Sequence, residues 1–268
     1  WDIVFNSYLN KKFNSNHINR TGITVTGLQY DLDYKISPNF GLDVPMEQIS
    51  KGNGGSCVLS AYSSSVINLS NHLITSLGIT AQYFTLNKNW TVEPRAALKW
   101  SFNPKHALAL AYGLHSRREK LDYYFVEQEA NGKTESNRYL DFSKAHHFGL
   151  TYDWNINSYM HLKVEPYYQY LFRIPVEENS SFSIINHQSF YLDRILKNRG
   201  SGVNYGIDIT LEQYMKNGFY YMITASLFKS KYKAGDNIWR NTRLDKNYLL
   251  NILAGKEWMV GRNKQNVL

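Results

Sequence analysis

The chain has 268 residues, a formal net charge of +8 and 15% aromatic residues, 21 of them tyrosines, yet its mean hydropathy is −0.45. The single cysteine, Cys57, excludes an internal disulfide, and without a CxxC or a Cys/His cluster the sequence offers no zinc site. Lysines and arginines are scattered over connectors and one strand parity, unlike the basic stripe of a nucleic-acid module, and no apolar run is long enough for a transmembrane helix.

In chain order, period-two alternation starts at once in WDIVFNSYLNKKF (1–13). It recurs over 18–36, 56–69, 73–86, 90–102, 106–128, 145–157, 159–176, 203–216, 219–235 and 244–260, predicting about eleven strands. In TVEPRAALKWSF (91–102), Glu93, Arg95 and Lys99 share one parity while Val92, Pro94, Ala96, Leu98, Trp100 and Phe102 share the other. Later segments divide the same way: Asp153 lies opposite Tyr152 and Trp154, Lys163 and Glu165 opposite Val164, and Asp208 and Glu212 opposite Ile207 and Leu211. Many of these strands exceed the roughly three to ten residues usual in soluble proteins.

The connections alternate in kind. Tight turns are predicted at NSNH (14–17), at 70–71, at NPK (103–105), at 157–158 and at KNG (216–218). Longer connectors fall at 37–55, with its KGNGGS, and at 129–144, 177–202 and 236–243; NKN (87–89) is a short exception. All tight turns then lie at one end of an antiparallel meander and nearly all long loops at the other. Long strands, a charged parity opposite an apolar one and turns sorted by end predict an all-β fold, an arc of a transmembrane β-barrel. A sheet in lipid must close on itself, because no water is there to satisfy a free edge.

That geometry assigns the candidate residues. Glu93, Arg95, Lys99, Asp153, Lys163, Glu165, Asp208 and Glu212 are expected to line the lumen. Tyr30, Tyr34, Trp100, Tyr152, Trp154, Tyr205, Tyr220 and Trp258 are expected in interfacial girdles. The prolines at 94 and 166 are expected at a bulge, or where the missing N–H has no partner to lose. Ligand contact is assigned to loop residues Tyr123, Tyr124, Phe125, Tyr191, Trp239 and Arg240, because exposed rings on a rigid scaffold stack on planar ligands. No metal or cofactor is assigned: His146 and His147 are adjacent and point to opposite faces, and His106 and His115 lie on opposite parities. No catalytic residues are assigned either, since there is no GxSxG elbow.

Two runs carry a family resemblance: LGITAQYFTLNKNWTVEPRAALKWSFNPKHALALAYGLHSRREKLDYYF (77–125), and NRGSGVNYGIDITLEQYMKNGFYYMITASLFKSKY (198–232) continuing to WRNTRLDKNYLLNILAGKEW (239–258). They resemble the barrel of TonB-dependent outer-membrane receptors of the Bacteroidetes type. The resemblance implies a barrel of about twenty-two strands around an N-terminal plug. It further implies import of a bulky nutrient (glycan, peptide or metal chelate) across a bacterial outer membrane. The implied partners are membrane lipid and lipopolysaccharide, the TonB complex reached through the N-terminal region, and a surface lipoprotein. Residues 1–268 are then expected to be part of one barrel domain, with the plug and the remaining strands outside this chain. The other readings of the pattern are a soluble β-rich carbohydrate-binding module and a barrel-embedded outer-membrane enzyme.

Overall fold

The structure, a computed structural model, describes residues 1–37, 45–130, 132–260 and 265–267. Eleven long strands build the wall: β1 (Asp2–Asn14), β2 (His17–Ile36), β3 (Glu47–Ser70), β4 (Leu73–Phe84), β5 (Asn89–Asn103), β6 (His106–Arg117), then, past a small hairpin of β7 (Glu127–Ala130) and β8 (Lys133–Ser136), β9 (Ser143–Asn157), β10 (Met160–Val176), β11 (Lys197–Lys216), β12 (Phe219–Lys233) and, past the short β13 (Trp239–Asn241), β14 (Tyr248–Lys256). Each wall strand pairs antiparallel with the next, β13 and β14 both lie along β12, and a last small ladder joins Trp258–Val260 to Gln265–Val267. Among the described residues β1 and β14 are the two ends of the arc and do not pair with each other.

Five connections close in two residues, between Asn14↔His17, Ser70↔Leu73, Asn103↔His106, Asn157↔Met160 and Lys216↔Phe219, all at one end of the sheet. Asn217 and Gly218 have φ of 52° and 75°, the doubly positive pair of a type I′ turn, which matches the right-handed twist of the flanking strands. The longer connections all leave the opposite end, as the alternation of turn chemistry predicts.

Several strand limits differ from expectation, two of them for a visible local reason. KGNGGS (51–56) is read as loop from its glycines, but it continues β3, paired from Lys51↔Asp33 to Ser56↔Leu28. The glycines are there for close approach: a Cβ on Gly52 would lie 2.4 Å from the Phe125 ring, and one on Gly54, at φ +146°, 3.3 Å from the Tyr30 hydroxyl. The remainder of the expected 37–55 connector lies partly outside the described residues. The expected strand 106–128 stops at Arg117, because the chain then turns through a 3₁₀ segment, Leu121–Phe125, which buries Tyr123 and Tyr124. The expected 203–216 strand starts earlier, at Lys197.

The main apolar core lies at the long-loop end of the polar face. There Leu28, Val58 and Phe84, contributed by β2, β3 and β4, meet Tyr123, Tyr124, Val126, Leu140, Phe142, Leu192 and Leu196 from the 118–142 and 177–196 connectors. The connectors are folded down onto the wall rather than held out from it. Asn137, buried, ties them together: its amide donates to the Arg194 carbonyl at 2.9 Å and its oxygen accepts from the Leu196 N–H at 2.7 Å. Burying these rings offsets the entropy of ordering two long connectors.

Both prolines settle into one-sided ladders. β4 and β5 pair without a shift through Ile79↔Pro94, so no bulge forms there, but the β5–β6 ladder ends at Arg95↔Gly113, one residue short of the proline. Likewise Pro166↔Ile207 is regular on the β11 side, while the β9 ladder skips from Val164↔Tyr152 to Tyr167↔Gly149. The strand tolerates each ring because the neighbour on one side makes no demand for its N–H.

Candidate functional site

The polar parity of β2 to β10 borders an open cavity of about 810 Å³, with Tyr62, Gln82, Arg95, His115, His147 and Tyr167 in its lining. Its floor is made of small residues, Gly78, Ala97, Ala111, Gly113 and Gly149, which leave the space that the longer side chains border. At its loop end sits Glu93, only 2% exposed. This carboxylate accepts from Gln82 at 2.6 Å, from Arg95 at 2.9 Å and from the Ser116 hydroxyl, so a buried charge is held by three donors. Ser116 reaches it because the β5–β6 ladder has already stopped at Gly113.

Toward the tight turns the same parity forms a charged lattice. Lys163 lies opposite Asp153 and pairs with Glu165 at 2.8 Å; Glu165 also accepts from Thr151 at 3.2 Å and lies opposite Asp208. Glu212 stands opposite His161, whose ring meets Asp153 at 3.1 Å. Lys99 is exposed on this parity of β5. All eight residues assigned from the charge pattern therefore share the face that holds the cavity.

The loop residues fare differently. Tyr124 is 1% exposed, packed edge-on to Phe84 with its hydroxyl accepting the Glu119 N–H at 3.1 Å; Tyr123 is buried beside it, and Phe125 lies against Tyr30. Tyr124 therefore presents no open ring for a ligand to stack on, whereas Tyr123, though buried, borders a second cavity and Phe125 is half-buried. Tyr191 leans on Tyr34, and Arg240 is committed to Asp236 through contacts of 2.9 and 2.5 Å. Trp239 remains substantially exposed. Among the described residues the most open rings of the connectors are Phe190 at 94% and Tyr139 at 80%; Tyr139 has no periodic signal that would single it out. Three girdle assignments also move: Tyr30 and Tyr34 face the loop core, and Tyr220 lies over Gly255 on the polar parity.

Above the loop core a second cavity of about 740 Å³ is bordered by Arg117, Arg118, Lys120, His187 and Arg243, with Asp122 among them. Burial raises the Asp122 carboxyl above its ordinary range. Glu119, buried, is turned toward Ser143 and accepts its hydroxyl at 2.5 Å. Its other carboxylate oxygen lies 3.7 Å from Arg117, and Asp2 also borders the cavity, so the basic groups are partly balanced.

The opposite, apolar face carries Leu77, Ile79, Leu98, Trp100, Phe102, Leu110, Phe148, Tyr168, Tyr205 and Leu227 in the open. Two aromatic levels cross it. Near the tight turns His106 stacks on Phe102 and Trp154 and bonds the Tyr152 hydroxyl at 2.8 Å; near the loops His146 stacks on Phe172 and bonds the Tyr112 hydroxyl at 3.0 Å.

No protein-family profile matches the chain, and no characterised protein matches it by sequence. Solved structures do. The ferric-catecholate import receptor Fiu from Escherichia coli K12 superposes with a TM-score of 0.69 at 9% identity, over 97% of this chain and 42% of its own. The siderophore receptor PirA from Pseudomonas aeruginosa gives 0.67 at 10%, over 97% and 46%. The RagAB peptide importer gives 0.58 at 12%, over 87% and 30%. The chain thus spans less than half the length of these structures and has the fold of part of a TonB-dependent receptor barrel, an antiparallel meander in one sheet.

Proposed function

We propose that this chain is a stretch of the barrel wall of a TonB-dependent receptor that imports a bulky nutrient across a bacterial outer membrane. The observation that carries the reading is the apolar face with its two aromatic levels. The pairs His106↔Trp154 and Leu114↔His146 mark those levels and stand eight residues apart on β6 and β9. At about 3.4 Å per residue that is ~27 Å along the strands, or ~19–22 Å across a membrane at the usual 35–45° tilt, near the height of an outer-membrane apolar band. A soluble carbohydrate-binding module would have to cover the same face with a second layer. The solved neighbours are transport receptors, which favours import over a barrel-embedded enzyme.

In this reading Arg95, Lys99, Asp153, Lys163, Glu165, Asp208 and Glu212 line a wet lumen, where charge costs little, and Glu93 belongs to the same wall with its buried carboxylate held by Gln82, Arg95 and Ser116. Lipid and lipopolysaccharide surround the apolar face. The TonB complex and a surface lipoprotein act through parts of the receptor outside these strands. Whether the cargo is a glycan, a peptide or a metal chelate is decided by the loop end, where Phe190, Tyr139, Trp239 and the cavity bordered by Arg117, Arg118, Lys120 and Arg243 lie.

Fractionation tests the reading. The full-length protein is expected in the outer-membrane fraction, released only by detergent and migrating differently before and after boiling. Recovery in the aqueous fraction without detergent would end the proposal. A deletion strain should in addition lose energised uptake of one nutrient.

A further inference from the structure

Five of the histidine rings have a hydrogen-bond partner. His17 meets Ser65, His106 meets Tyr152, His146 meets Tyr112, His161 meets Asp153 and His187 meets the Tyr191 carbonyl, all between 2.8 and 3.1 Å. Among the described residues His72, His115 and His147 have none, and only the last two stand together. Neither ring has a protein hydrogen-bond partner among the described residues, both border the 810 Å³ cavity, and their centroids are 4.5 Å apart at an interplanar angle of 42°.

The strand register produces the pair. His147 lies opposite Gly113 and His115 opposite Ala145, so the two histidines are diagonal neighbours on one face of an antiparallel ladder, within reach of long side chains. Gly113 then brings them together. A Cβ there would stand 2.6 Å from His115 Nε2, so the imidazole lies back over the glycine, toward the residue opposite it, which is His147.

The two imidazoles stand side by side, and neither has a hydrogen bond to the protein that occupies its ring nitrogens. A late first-row divalent ion satisfies both, at nitrogen distances of about 2.0–2.1 Å. The nearest guanidinium in the cavity lining, Arg95, is engaged by Glu93 at 2.9 Å, which lowers its repulsion of a cation. No third His, Cys, Asp or Glu joins the pair among the described residues. An ion held here would keep positions open for outside donors, the mark of an exchangeable site rather than a structural one.

We propose that His115 and His147 form a two-imidazole site on the cavity wall for a late first-row divalent ion, Cu(II) ahead of Ni(II) and Zn(II), taken up bare or within a chelate that has open coordination positions. The inference rests on the wet inner face of the barrel reading. It would make this wall a way-station for metal-bearing cargo.

The test uses the full-length, tag-free protein in detergent, titrated with Cu(II) and followed by electron paramagnetic resonance. One ion per protein with nitrogen hyperfine splitting from two imidazoles is expected. His115→Gln and His147→Gln should each weaken binding at least about tenfold, since loss of even an outer-shell partner costs about 10–100-fold. Gly113→Ala keeps both histidines but displaces the His115 ring, and should weaken binding too. His161→Gln, at the bond to Asp153, should leave it unchanged. Copper binding that survives His147→Gln, or falls equally in His161→Gln, overturns the site. Detergent-extracted protein that takes up no Cu(II) overturns this inference and leaves the barrel reading standing. Protein recovered in water without detergent overturns both.

Discussion

Leu110→Arg puts the lipid assignment at stake on one residue. Leu110 is 60% exposed on β6, opposite Leu150, and lies four residues from each of the aromatic levels marked by His106 and Leu114. It therefore sits at the middle of the apolar band. An exposed leucine on a soluble protein can become arginine for about 0.5 kcal/mol or less. At the midplane of a bilayer the same change costs about 2–4 kcal/mol, because the guanidinium must stay in hydrocarbon or drag water in with it. Ser76→Arg is the control: Ser76 borders the 810 Å³ cavity, where an added charge reaches water, and should cost about 0.5 kcal/mol or less. The assay is reversible folding of the full-length protein into vesicles over a denaturant series, read as the band shift between folded and heat-denatured forms. A Leu110→Arg penalty no larger than that of Ser76→Arg would refute the claim that this face meets lipid.

The loop core makes a pH prediction. Burial pushes the Tyr124 hydroxyl up to about 12, so an unfolded chain loses that proton near pH 10 while the folded one keeps it. The contribution is fully present below pH 10 and is lost between about 10 and 12, on the order of 2 kcal/mol; a difference titration at 295 nm between wild type and Tyr124→Phe should isolate one phenol ionising near 12, and a missing phenol that titrates near 10 would contradict the burial. Pro94→Ala should change stability by less than about 1 kcal/mol, measured by the same vesicle assay, because the restored N–H finds the β6 ladder already ended at Arg95↔Gly113 while the unfolded chain only gains freedom; a larger loss would mean that the proline ring itself is packed into the wall.

Much of the wall was legible in the sequence. Side chains alternate across a strand with period two, so Glu93, Lys163 and Asp208 could be set on one face and Leu98, Val164 and Ile207 on the other before any contact was known. The tight turns were legible because Asn, Gly, Pro and Ser encode local backbone geometry. The connectors were not. Tyr124 reads as a loop aromatic, and nothing nearby in sequence shows that Phe84, forty residues upstream, will cover it. Gly52 reads as a loop residue for the same reason, since Phe125 fills its missing side chain from far along the chain.

What the sequence determined by itself was which side of the sheet each residue faces, because that is a property of consecutive backbone units. Which residues meet was decided only by register and by the inward fold of the connectors, both set by contacts distant in sequence. His115 and His147 show the division most plainly. Their shared face follows from parity within each strand, but their 4.5 Å approach exists only because β6 and β9 pair with Gly113 opposite His147.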